Sequence, residues 1–114
     1  MSEVFIMGNA ANDFGVTELA IKASIASEFE TDEINDFQVL AAYSNYNDGG
    51  YEHDCWFLLK KEGFLYVASG SHCSCHGYED QFSPQIVNVG YLATMYSGSP
   101  TQEREWQALL SSLS

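Results

Sequence analysis

The chain predicts an α+β domain: a small antiparallel sheet of three to four strands, with one helix before it and one after it. Three features carry that prediction. Apolar side chains recur at helical spacing over residues 16–29. Two strand-like runs flank Lys61-Glu62-Gly63. A proline-led amphipathic stretch closes the chain from Ser99 onward.

The elements follow in order. Residues 1–15 are mixed, with turn formers at Gly8-Asn9 and Asn12-Asp13. Thr17 is an N-cap with Glu18 in the first turn. Leu19-Ala20-Ala23 and Ile21-Ile25-Phe29 then recur with helical period and predict one amphipathic helix over Val16–Phe29. Phe37–Tyr43, rich in Val, Leu, Phe and Tyr, predicts a strand, and residues 44–50 a loop. Cys55–Lys60 and Phe64–Ser69 predict a hairpin in which Glu62-Gly63 is the two-residue turn. Residues 70–83 read as a loop, Gln85–Val89 as a weak fourth strand, and Tyr91–Tyr96 as a helical turn. In the last helix Ser99 caps, Pro100 takes the first position and Gln102 closes a capping box. Trp106, Leu109, Leu110 and Leu113 form its apolar face.

At 114 residues the chain has room for a single domain over 1–114, and an apolar fraction of 46% is enough to give it a core. Sixteen acids against four bases give a formal charge of −12. That excludes binding a nucleic acid backbone through a basic face, and it disfavours an anionic membrane surface. The complement is a basic partner. No apolar run approaches the ~20 residues of a membrane span. The start Met1-Ser2-Glu3-Val4 has no positive region of the secretory kind. The expected location is the cytoplasm.

The acids gather in patches. Glu28, Glu30, Asp32, Glu33 and Asp36 are the densest and are the candidate partner-binding residues. Others lie at Asp48–Asp54, at Glu79-Asp80, and at Glu103 and Glu105. Such acids keep a small protein soluble. Spread over one face, they also imitate a polyanion and steer the chain toward a basic groove.

All three histidines lie beside the three cysteines, in His53-Asp54-Cys55 and in Gly70-Ser71-His72-Cys73-Ser74-Cys75-His76-Gly77. An odd cysteine count without a secretory signal does not suggest a disulfide framework. The hairpin brings the two segments together. With Lys61 opposite Phe64, the register runs Leu59–Tyr66, Phe57–Ala68, Cys55–Gly70 and His53–His72. A mixed set of thiolates and imidazoles suits tetrahedral zinc. The candidate ligands are His72, Cys73 and Cys75. The fourth is open among Cys55, the soft choice, and His53, His76, Glu79 or water. The spacing is not a standard zinc signature. Two other readings compete: cysteines that pack as small hydrophobes beside loop histidines, and a histidine-activated thiolate that attacks an acyl or phosphoryl group.

Tyr51-Glu52, the hairpin Trp56–Ala68 and Gly70-Ser71-His72-Cys73-Ser74-Cys75-x-Gly77-x-Glu79-x-Gln81 resemble small proteins of phages and prophages sharing a G-S-H-C-S-C-x-G-x-E-x-Q pattern. His72, Cys73, Cys75, Gly77, Glu79 and Gln81 match it, whereas His53, Cys55 and His76 look like additions. The size and acidity also resemble anti-CRISPR inhibitors of the type II effector Cas9. That resemblance implies a host bacterial cytoplasm and a protein partner with a positively charged nucleic-acid channel. The expectation is therefore a non-enzymatic inhibitor with a structural zinc that keeps target DNA from loading on a basic host protein, Cas9 favoured. The alternatives are a Cys/His- or zinc-dependent hydrolase and a DNA mimic directed at another basic protein.

Overall fold

The computed structural model describes residues 4–47, 52–73, 81–96 and 100–113. The elements are β1 (Phe5–Gly8), α1 (Ala10–Asp13), α2 (Glu18–Glu28), a 3-10 turn (Glu33–Asp36), β2 (Gln38–Asn47), β3 (Glu52–Lys61), β4 (Phe64–Cys73), β5 (Gln85–Val87), α3 (Val89–Leu92), a second 3-10 turn (Ala93–Met95) and α4 (Pro100–Leu113). The strands form one sheet in the order β1-β2-β3-β4-β5.

The α+β class holds, and the sheet is larger and mixed. β1 was not predicted; it pairs parallel to β2, with Phe5 opposite Ala41 and Gly8 opposite Ser44. Its four residues are too few to show an alternating pattern, and the turn formers after it masked it. A parallel neighbour needs a long crossover. Here α1, α2 and the first 3-10 turn supply it.

The central strand explains the layering. Cys55 to Leu59 are all buried, in a continuous apolar run rather than an alternating one. Cys55, Phe57 and Leu59 join Ile21, Ile25 and Phe29 of the α2 region in one core cluster. Trp56 and Leu58 join Met7, Leu92, Trp106 and Leu110 in a second cluster beneath α4. The sheet is covered on both faces, so both odd and even positions of β3 must be apolar. A bulge in β2 between Val39 and Ala41 shifts the register and puts Leu40 and Ala41 together in the second cluster.

The hairpin register is the expected one at every named pair, from Lys61–Phe64 to His53–His72. Glu62 and Gly63 both have positive φ, at 53° and 84°, as a type I′ turn requires. The strands run further than predicted. Residues 44–47 continue β2, pairing Asn45 with Asp54 and Asn47 with Glu52, and β4 extends to Cys73. Loop-forming residues are held in strands here by long-range pairing, which outweighs their propensity.

The helices bear out most of the sequence reading and correct the outward row of α2. Thr17 caps α2 by accepting a hydrogen bond from the Ala20 N–H at 3.1 Å. Ile21 and Ile25 face the core, but Leu19 is 82% exposed and Ala20 and Ala23 are exposed with it. In α4, Trp106 and Leu110 are buried and Leu109 and Leu113 pack against them, as their spacing predicted. Gln102, expected to close a capping box, donates from Nε2 to the Ile6 carbonyl at 2.6 Å and ties α4 to β1. The predicted cap Ser99 lies outside the described residues.

Candidate functional site

The open end of the β3–β4 hairpin is where the sequence placed its Cys/His cluster. The backbone register puts His53 opposite His72, Cys55 opposite Gly70 and Glu52 opposite Cys73. Cys75, His76 and Glu79 lie outside the described residues. Among the described residues, no group of three or more His, Cys, Asp or Glu side chains is placed to hold a metal. Cys55 is 2% exposed and sits in the apolar cluster beneath α2. A thiol so placed packs as a small hydrophobe.

Gln81, the last position of the quoted motif, has a geometric role. Its Oε1 accepts from the Ser71 N–H and its Nε2 donates to the Ser71 carbonyl, each at 2.8 Å. β5 pairs with β4 only from Leu65–Val87 to Val67–Gln85. Continued along both chains, that register would set Gln81 opposite Ser71. Pro84 intervenes with no N–H to offer, and the backbone ladder stops at Gln85. The Gln81 carboxamide then makes the pair of bonds that a strand residue's backbone would make. The clamp joins the two ends of the segment that carries Cys73, Cys75 and His76.

On the α1–α2 side of the sheet lies a polar cluster that the sequence reading missed. Asp13 ends α1, and its Oδ2 accepts from the Ser44 hydroxyl at 2.6 Å and lies 2.8 Å from His53 Nε2. Ser44 is 0% and His53 5% exposed. The His53 ring stacks on Phe14 with centroids 6.2 Å apart and planes 23° apart. Ser, His and Asp together suggest hydrolysis, but the arrangement is wrong for it. The serine hydroxyl points at the carboxylate rather than at the imidazole, so this histidine does not activate it as a nucleophile. The cluster clips α1 to β2 and β3. Gly8 serves the same junction. Its φ is +62°, and a Cβ there would lie 2.2 Å from the Ser44 carbonyl, whose oxygen accepts from the Asn9 N–H. One signal was available in the sequence: His53 shares strand parity with Cys55 and Phe57, and a buried histidine needs a polar partner.

The five acids proposed for partner binding come together at the C-terminal end of α2. Glu28, Glu30, Asp32, Glu33 and Asp36 are all exposed. Phe29 and Ile34 between them, and Phe37 directly after, are buried in the first cluster. Hydrogen bonds tie the backbone at several points: Thr31 N–H to the Ala26 carbonyl, Glu33 N–H to Thr31 Oγ1, and Phe37 N–H to the Ile34 carbonyl. Glu30 takes the left-handed conformation, φ 50°, at the position after the helix cap where glycine is usual. Acids and anchors alternate, so an exposed acidic ridge runs along a backbone anchored to the core. Comparison with family models, curated proteins and solved structures finds no match.

Proposed function

We propose that the chain is a stoichiometric, non-enzymatic inhibitor that presents this acidic ridge to a basic, nucleic-acid-handling protein and blocks DNA loading, with Cas9 the first target to test. The observation that carries the reading is the alternation of five exposed acids with three buried anchors over residues 28–37. Buried anchors fix the backbone beneath the acids before binding, which limits the conformational entropy lost on docking, and the field of the carboxylates speeds encounter with a positive surface. The chain's charge of −12 strengthens that field. A structural zinc ion on His72, Cys73 and Cys75 belongs to the same proposal; Cys55, expected as the soft fourth ligand, packs in the core beneath α2, which leaves the fourth ligand open. The zinc reading is supported by the Gln81 clamp, which holds the ends of that segment together.

The test is a Cas9 DNA-binding assay with the native chain and a variant carrying Glu30→Lys, Asp32→Lys, Glu33→Lys and Asp36→Lys. All four side chains are exposed, so the variant keeps the native circular dichroism spectrum. The native chain displaces DNA at near-equimolar dose, and the variant is weaker by about 100-fold or more, the loss of several charge contacts. Equal inhibition by the two proteins would remove the ridge from the interface. Elemental analysis of untagged protein reads the zinc. Native protein carries stoichiometric zinc, and Cys75→Ser loses it; metal-free native protein ends the zinc proposal.

A further inference from the structure

α2 is apolar on two opposite sides. Ile21 and Ile25 enter the core. At 3.6 residues per turn, Leu19, Ala20 and Ala23 lie on the opposite side, and they are exposed. Val16, just ahead of the Thr17 cap, is 63% exposed and Leu19 82%. Helices covering a sheet ordinarily turn charge outward. Of the charges on this helix, Glu18 turns inward, its Oε2 accepting from the Val39 N–H at 2.7 Å, Lys22 is half-buried, and Glu28 stands at the C-terminal end among the acids. Followed toward its C-terminus, the outward face passes Ser27 and runs into Glu30 and the acids beyond it.

We propose that this face docks a basic amphipathic helix of the partner, whose apolar side covers Val16, Leu19, Ala20 and Ala23 while its cations meet the acidic ridge. The inference rests on the reading that the chain binds a basic protein, and it names the element that binds. Apolar recognition with charge at one end is the usual chemistry of a helix laid on an apolar face. A second copy of the chain fits the face poorly, because it brings the same −12 charge to the contact.

The probe is a fluorescein-labelled helical peptide of leucine and lysine with all its leucines on one face. Its control replaces leucine with glutamine and keeps the charge. Anisotropy titrations compare the native chain with the double variant Val16→Ser, Leu19→Ser, whose sites are exposed and leave the core intact. The native chain prefers the leucine peptide by about tenfold or more, a difference of ~1.4 kcal/mol or larger. The double variant keeps salt-sensitive binding of both peptides and loses the preference. A preference retained by the variant, or absent from the native chain, overturns the inference. So does a native dimer in sedimentation that the variant dissolves, since the face would then belong to a second copy. The two proposals fail separately. Peptide discrimination without any Cas9 inhibition sinks only the choice of Cas9. Cas9 inhibition that the double variant matches sinks only the docking face.

Discussion

Asp13 ties the crossover to the sheet through a single atom. One carboxylate oxygen serves both Ser44 and His53, and both of those side chains are buried. Asp13→Ala withdraws the acceptor from both at once. It should cost about 2–4 kcal/mol, the penalty for stranding buried polar groups. A urea melt measures this; a loss below ~1 kcal/mol would mean that the clip contributes little. Legibility at this scale is uneven. The register of the hairpin was readable to the residue because a two-residue turn at Glu62-Gly63 leaves one pairing open. The partner of His53 was not, because Asp13 lies 40 positions away in sequence, on a helix of four residues that has no periodicity to detect.

Among the elements, β4 and α2 show what patterns leave undetermined. In the sequence Gln81 had no role beyond a match to the motif, yet its carboxamide completes the edge of β4 at Ser71. Gln81→Ala should speed hydrogen exchange of the Ser71 amide by about tenfold or more while β3 and its ladder partners stay protected. Uniform loosening of the sheet would instead make Gln81 part of the global core. In α2 the spacing showed two apolar rows, and spacing alone does not say which faces inward. Ile21 and Ile25 are the row the sheet accepts, leaving Leu19 outside. β1 failed for a different reason. A parallel edge strand of four residues is specified by its neighbour β2 and by Gln102 from α4, contacts that a local window does not contain.

Among the described residues the molecule is a five-stranded mixed sheet with helices on both faces, and no helix is long and apolar enough to cross a membrane. Its three layers do two things for the proposed function. They pin the acidic ridge through Phe29, Ile34 and Phe37, and they set α2 with its second apolar face toward solvent. The charge and its densest patch were legible in the sequence; the anchoring of that patch was not, since it needed the burial of Phe29, Ile34 and Phe37. An interaction built on such a field weakens with ionic strength, so affinity for a basic partner should fall steadily as salt rises through the physiological range. The most direct measurement is the dose of native chain that abolishes DNA cleavage by a fixed amount of Cas9. Complete inhibition is expected near one chain per effector, with DNA binding lost in parallel. Unimpaired cleavage at large molar excess would contradict Cas9 as the target, and inhibition at doses far below the effector would contradict a stoichiometric binder altogether.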